Sequence, residues 1–261
     1  MFVGGPERDL SGAPPDVDST QHRSSWEAGT IGRATKGSMK LLLTSGGVTN
    51  ASIHRALVEL LGKPVADCAA LCIPTALYGH PHGTPAGAWR FVSGHGGNPM
   101  TALGWKSMGL LELTALPGIG PERRQRWVRE ADVLLADGGD ALYLAHWMRQ
   151  SGLADFLRSQ PDKTWVGLSA GSMAMAPCVG DDFIEMKPPL TGEDRALGLV
   201  DFAIFPHLDY PSFPENAMPF AERWAARLAC ASYAIDDQTA LKVVDGRVEV
   251  VSEGHWRHFP R

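Results

Sequence analysis

The feature that most constrains the fold is an alternation, from Lys40 onward, of short apolar runs with longer helix-like segments. Apolar runs of four to seven residues are typical of buried strands. They are "KLLLT" (40–44), "AALCIP" (69–74), "LLELTAL" (110–116), "DVLLA" (132–136) and "TWVGL" (164–168). Strands that alternate with helices favour a parallel sheet covered on both faces. We therefore predict an α/β fold, a three-layer sandwich around a mostly parallel central sheet.

The segments between these strands carry helix signals at their ends, such as Asn50 before one segment and Gly62 after it. Asn98-Pro99 is a cap followed by a proline at the first helical position. The predicted helices cover residues 51–61, 100–109, 121–130 and 141–150. Asp245-Gly246 joins two β-rich runs, which predicts a β-hairpin over 240–251.

The first 38 residues differ from the rest of the chain. They are rich in Gly, Pro, Ser and charge, they show no apolar periodicity, and they lack the apolar core of a secretory signal. We predict a disordered N-terminal extension over 1–38 and one catalytic domain over 39–261. The alternatives for the extension are an artefact of the assigned start site and a partner-binding tail.

Composition excludes several classes of function. The chain has 261 residues and a net charge of -5, so it offers no basic surface for nucleic acid. It also has no apolar stretch long enough to span a membrane. Its four cysteines lack metal-site spacing, which favours buried free thiols in a reducing, cytoplasmic compartment. They are Cys68, Cys72, Cys178 and Cys230. No matching carboxylate set accompanies the His80-Pro81-His82 pair, so no metal is predicted.

A candidate nucleophile lies at the end of the fifth predicted strand. Residues 167–171, Gly-Leu-Ser-Ala-Gly, match the G-x-S-x-G elbow, whose glycines allow the sharp turn that exposes the serine. A strand-like run precedes Ser169 and small residues follow it, as the motif requires. We predict that Ser169 is a nucleophile, and a serine in an ordinary tight turn is the alternative.

A serine hydroxyl needs a base within hydrogen-bond reach. His207 follows an apolar run in "DFAIFPHLDYPSFPEN", which would place it at the same sheet edge as Ser169. Carboxylates that could orient the imidazole lie between the two, at Asp181, Asp182 and Glu185. Spacing alone does not choose among them.

Two backbone N–H groups would stabilise the oxyanion. One belongs to Ala170 at the predicted helix start, where the helix dipole helps. The other would come from the turn at 138–140, Gly-Gly-Asp, where glycine lets the backbone approach a substrate closely. An ordinary strand-to-helix turn is the alternative reading of that segment.

Together these residues resemble the aspartyl dipeptidase (peptidase E) family, which includes cyanophycinase-like enzymes. The similarity covers residues 39–261 and keeps the family's motif order and spacing. Its motifs are "LADGGDALYL", "VGLSAGSMAM", "FPHLDYP" and "YAIDDQTALKVVDG". The resemblance implies the class I glutamine amidotransferase-like (flavodoxin-like) fold, with serine in place of the cysteine nucleophile.

The resemblance also implies roles for individual residues. It implies Ser169 as nucleophile, His207 as base, and Glu185, or else Asp182, as the acid. It further implies that backbone N–H groups at Gly139 and Ala170 donate to the oxyanion.

Two positions bear on the substrate. Asp140 stands where the family commonly has asparagine, and it remains a candidate substrate-binding residue. Arg223 is the candidate for a substrate's aspartyl carboxylate, and its alternative is a solvent-facing residue or an ion pair with Glu222.

The expected function is hydrolysis of a short peptide through an acyl-enzyme, after an N-terminal aspartate if the resemblance extends to specificity, with no cofactor. A homodimer is left open. One alternative is an α/β-hydrolase esterase, because "SGHGGNP" is similar to a His-Gly-Gly oxyanion loop. Against this alternative, only 38 positions separate Ser169 from His207, which leaves little room for the strands and helices usually found between them. The other alternative is a non-catalytic protein of the same fold that binds a ligand.

Overall fold

The computed structural model describes residues 39–184 and 193–261. The predicted extension over 1–38 and the candidate Glu185 lie outside these ranges. The strands are β1 (Lys40–Thr44), β2 (Ala69–Ile73), β3 (Ser107–Leu110), β4 (Val133–Ala136), β5 (Thr164–Leu168), β6 (Phe202–Phe205), β7 (Ala231–Ile235), β8 (Thr239–Val244), β9 (Arg247–Ser252) and β10 (Trp256–Phe259). The helices are α1 (Ala51–Leu61), α2 (Thr75–Gly79), α3 (Pro85–Ser93), α4 (Pro121–Glu130), α5 (Ala141–Gln150), α6 (Leu153–Arg158), α7 (Ala170–Met173) and α8 (Met218–Arg227).

A seven-stranded sheet in the order β3-β2-β4-β5-β1-β8-β9 forms the centre. Its first five strands are parallel, and β8 and β9 are antiparallel additions. Alternate residues of each strand enter different cores: Leu41 and Leu43 pack on one face with α5, and Leu42 packs on the other with α1. This alternation buries both faces. The predicted α/β sandwich with a mostly parallel sheet is confirmed.

A second, three-stranded sheet has the order β10-β7-β6. In it β6 and β7 are parallel, whereas β10 is antiparallel to β7. Phe205 and Trp224 are almost fully buried, and they join this sheet to α8 in a separate apolar cluster. The sequence analysis did not predict this sheet.

Several local predictions hold. Helices form at 51–61, 121–130 and 141–150, with Asn50 accepting from the N–H of Ile53 and Gly62 in the left-handed region at φ 70°. The hairpin of β8 and β9 turns at Asp245 and Gly246, which both have positive φ as a type I′ turn requires. No helix within the described ranges has the length and apolarity to cross a bilayer.

The predicted helix at 100–109 and strand at 110–116 are wrong. The Asn98 side chain accepts from the N–H of Thr101, but Gly104 in the left-handed region (φ 82°) prevents a longer helix. The chain then pairs with β2 as strand β3. Beyond it, Leu113–Gly118 forms a 3₁₀ turn, in which Pro117 has no N–H to donate to a strand neighbour.

Candidate active site

Ser169 lies in a strained turn between β5 and α7. Its φ of 48° and ψ of −108° are unusual for a residue with a side chain. The Ser169 N–H donates to the carbonyl of Thr44 at 3.0 Å, which fixes the turn to the neighbouring strand β1. Such strain persists only where the surroundings impose it, and it occurs often at functional sites.

The two glycines of the motif are required by close backbone packing. A Cβ on Gly167 would lie 2.5 Å from the carbonyl carbon of Gly171, and one on Gly171 would lie 2.4 Å from the carbonyl oxygen of Ala136. Either methyl group would overlap backbone atoms. The glycines therefore let α7 pack directly on β4 and β5 behind Ser169.

His207 is held from the second sheet. It follows β6 by two residues, and Asp237 follows β7 by two residues. Because β6 and β7 are parallel neighbours, the two side chains meet at one edge. His207 Nδ1 lies 2.8 Å from Asp237 Oδ1.

The ionised form of Asp237 is favoured in this position. Burial raises the pKa of the Asp237 carboxyl, but the hydrogen bond and charge of His207 and the hydrogen bond from Ser45 outweigh burial and hold the pKa below its ordinary value. A carboxylate facing Nδ1 keeps a proton on that nitrogen. Nε2 is then the nitrogen able to accept a proton.

Ser45 connects the two sheets. It follows β1 and is fully buried. Its Oγ donates to Asp237 Oδ1 at 2.7 Å and accepts from the backbone N–H of His207 at 2.6 Å. One hydroxyl thus fixes both members of the imidazole–carboxylate pair relative to the main sheet.

The two sheet edges meet at a cavity of about 470 Å³. Within the described part of the chain, no hydrogen bond joins Ser169 to His207, although both line this cavity. Its other lining residues are Leu77, His80, Gly138, Gly139, Asp140, Ala141, Leu168, Met173, Asp182, Phe183, Pro206, Phe213, Glu215, Asn216 and Phe220.

The turn at 137–140 presents a single available amide to the cavity. The N–H of Gly138 donates to Asp137 Oδ1 and that of Asp140 donates to the carbonyl of Ala76, both at 2.9 Å. In the described ranges, the N–H groups of Gly139 and Ala170 have no acceptor. Gly139 lines the cavity, and Ala170 directly follows Ser169 as the first residue of α7.

Only glycine fits at position 139. Its φ is 136°, and a Cβ there would lie 2.3 Å from the carbonyl oxygen of Ala76. Next to this turn, burial raises the pKa of Asp137 to about 7, against the opposing effect of its hydrogen bond from the Gly138 N–H.

Two acidic candidates have other partners. Asp140 is 4% exposed and caps α5, its Oδ1 accepting from the N–H groups of Leu142 and Tyr143. Asp182 borders the cavity, but its carboxylate binds the guanidinium of Arg227. The structure therefore does not bring Asp182 to His207.

Arg223 does not reach the cavity. It is exposed on α8, with its guanidinium carbon 5.4 Å from the centre of the Phe220 ring. Its expected partner Glu222 instead pairs with Arg257. Phe220 itself lines the cavity, so Arg223 contacts the outer side of one wall residue.

Sequence reasoning missed Asp237 and Ser45. It searched for the acid between Ser169 and His207, whereas Asp237 follows the histidine by 30 residues. The available signal was "YAIDD", an apolar run ending in two aspartates, which has the same form as the "FAIFPH" run ending at His207. Ser45 had a similar signal, because it directly follows a predicted strand.

Comparisons with known proteins identify the family of the chain. The sequence profile of Peptidase family S51 matches residues 41–251. The chain belongs to this peptidase family. The match includes both sheet edges that line the cavity.

One curated relative and two solved structures are also similar. Uncharacterized peptidase PM1590 of Pasteurella multocida (strain Pm70) is 25% identical over 131 residues, which are 48% of this chain and 61% of that relative. The match thus spans less than two thirds of the relative's length.

A putative peptidase E protein from Listeria monocytogenes EGD-e has a TM-score of 0.59 at 18% identity, covering 83% of this chain and 99% of its own. A peptidase from an acI-B1 Actinobacterium has a TM-score of 0.56 at 18% identity, and the match covers 85% of this chain and 94% of that one. At 18% identity, these two structures show only that the chain shares their fold.

Proposed function

We propose that the chain is a serine peptidase of short peptides in which Ser169 is the nucleophile, His207 the base and Asp237 the group that orients His207. The observation that carries this proposal is the meeting of two sheet edges in one cavity. One edge supplies a strained serine with free backbone donors beside it, and the other supplies an imidazole whose Nδ1 faces a carboxylate.

In the proposed reaction, Ser169 Oγ attacks the scissile carbonyl while His207 Nε2 takes its proton. The N–H groups of Gly139 and Ala170 stabilise the oxyanion of the tetrahedral intermediate. His207 then protonates the leaving amine, and an acyl-enzyme forms on Ser169. Water activated by His207 releases the acyl group and restores the serine.

The cavity also bears on the substrate. Its volume suits a short peptide, and apolar walls such as Phe183, Phe213 and Phe220 favour a substrate with apolar surface. The described lining contains no lysine or arginine. We therefore expect that cleavage extends beyond peptides with an N-terminal aspartate, and an aspartyl preference is the competing outcome.

The test is hydrolysis of Asp-Leu, Glu-Leu, Ala-Leu and β-Asp-Leu by the purified protein. Ser169→Ala is the variant, and Ser107→Ala, on the exposed edge strand β3, is the matched control. We expect cleavage that Ser169→Ala abolishes and Ser107→Ala leaves unchanged. Cleavage that survives in Ser169→Ala contradicts the assigned nucleophile. Cleavage of a p-nitrophenyl ester with no peptide cleaved favours an esterase.

A further inference from the structure

Two of the four cysteines lie together outside the active-site cavity. The Sγ atoms of Cys178 and Cys230 are 3.9 Å apart, and both residues are half-buried. Cys68 and Cys72, in contrast, are fully buried. The expectation of buried thiols is therefore wrong for Cys178 and Cys230. The two cysteines lie on loops that are 52 residues apart in sequence and are brought into contact by the fold.

The pair is accessible to a small reagent. Both cysteines line a second cavity, of about 530 Å³, whose walls include Asp194, Arg195 and Arg227. A disulfide requires an Sγ–Sγ distance of about 2.05 Å. Closing the gap from 3.9 Å to that distance requires side-chain rotation and movement of the loops that carry the two cysteines.

We infer that Cys178 and Cys230 form an intramolecular disulfide when the protein meets a peroxide. The Cys230 thiolate attacks one oxygen of hydrogen peroxide, giving a sulfenic acid and hydroxide. The Cys178 sulfur then attacks the sulfenic sulfur and displaces a second hydroxide, which takes up the thiol proton as water. In total two thiols lose two electrons and two protons, and one peroxide becomes two waters.

The surroundings favour this order of steps. Burial, with Cys230 and Asp194 beside it, raises the pKa of Cys178 to about 12. A thiol that remains protonated reacts slowly with peroxide. Cys178 is therefore the resolving thiol, and Cys230 reacts first.

The closed loop would enclose one half of the active site. Residues 178–230 include His207, Phe213 and Glu215 of the cavity wall, whereas Ser169 and Asp237 lie outside the loop. Joining the loop ends reduces the conformational freedom of the unfolded segment. The disulfide would thus stabilise the part of the fold that carries His207, and it would do so whether or not the proposed peptidase reaction is correct.

The experiment counts thiols before and after treatment with hydrogen peroxide. The protein is denatured, alkylated with iodoacetamide and weighed by mass spectrometry. We expect four alkylated thiols before oxidation, two after it and four again after reduction with dithiothreitol. Cys230→Ser should keep three alkylated thiols under all conditions. Cys178→Ser should have three before oxidation and form no disulfide after it, because its Cys230 has no resolving thiol and stops at the sulfenic acid. Four thiols in the oxidised parent protein, a linked peptide containing Cys68, or a disulfide between two chains would overturn the inference.

Thermal unfolding tests the consequence separately. We expect the melting temperature of the oxidised protein to be about 5 °C above that of the reduced protein. The gain comes from the lower entropy of the unfolded chain when the ends of a 52-residue loop are joined, and strain in the folded disulfide makes this gain smaller. Cys178→Ser should show no such shift. A bridge that forms without a rise in Tm would contradict the stabilising role of the disulfide.

Discussion

The two halves of the cavity are built in different ways. On the main sheet, backbone contacts fix Ser169, through its N–H bond to Thr44 and the close packing of Gly167 on Gly171. On the second sheet, side-chain hydrogen bonds fix His207, through Asp237 and Ser45. The proposed nucleophile is therefore positioned by chain geometry, and the proposed base by polar groups.

This difference separates what substitutions do. A side chain at Gly167 or Gly171 would overlap main-chain atoms, so a substitution there changes the fold around Ser169. Replacing Asp237 or Ser45 removes hydrogen bonds from a partly buried network and leaves the apolar packing of the sheets untouched. The His207 half is therefore where substitutions test the proposed catalysis with the least effect on the fold.

The largest expected effect on the His207 half comes from Asp237→Asn. We expect kcat to fall by about 10³-fold, because an amide does not hold a proton on Nδ1 or stabilise the imidazolium as a carboxylate does. Steady-state kinetics on a cleaved dipeptide measures this loss.

Asp182→Asn is the matched control for that experiment. Since Asp182 binds Arg227 and not His207, we expect its kcat to remain within about fivefold of the parent value. A larger loss in Asp182→Asn than in Asp237→Asn would move the orienting role back to Asp182.

Ser45→Ala should have an intermediate effect. It leaves the His207 N–H without its acceptor and removes one hydrogen bond from Asp237, which costs about 1–3 kcal/mol. We expect kcat to fall by about 10- to 100-fold with KM little changed, because Ser45 positions the base without lining the cavity. A change confined to KM would contradict this positioning role.

A smaller effect concerns stability at Asp137, in the turn at 137–140. The folded pKa of Asp137 is about 7, against about 3.9 for an unfolded aspartate, so ionisation costs folding free energy as pH rises from about 4 to 7. Asp137→Asn removes that cost. We expect it to raise the free energy of unfolding by about 1–3 kcal/mol at pH 8 and by little at pH 4, measured by urea denaturation. An equal change at both pH values would contradict the raised pKa.

Arg223→Ala should have the smallest effect. Its guanidinium lies on Phe220 and outside the cavity lining, so we expect the ratio of Asp-Leu to Ala-Leu cleavage to change by less than about twofold. A selective loss of Asp-Leu cleavage would show that Arg223 reaches the substrate.

The sequence predicted the main-sheet half well for physical reasons. Parallel strands buried on both faces appear as continuous apolar runs, and the turns at 137–140 and 167–171 carry glycines that their backbone geometry requires. Strands β1, β2, β4 and β5, these two turns and the position of Ser169 at the end of β5 were therefore readable from local patterns.

The second half depends on contacts between distant segments. Asp237 meets His207 only because β6 pairs in parallel with β7, and nothing in either run specifies that pairing. Ser45 likewise depends on the approach of two separate sheets. The same limit explains the mistaken helix at 100–109, where pairing with β2 prevailed over a local cap signal.

The most direct test of the central claim is covalent labelling of the nucleophile with a fluorophosphonate, read by mass spectrometry of the digested protein. We predict a single adduct on the peptide that contains Ser169, absent in Ser169→Ala and formed at least about 10²-fold more slowly in His207→Ala. An adduct on another residue, or an equal labelling rate in His207→Ala, would contradict the account in which the two halves form one catalytic site.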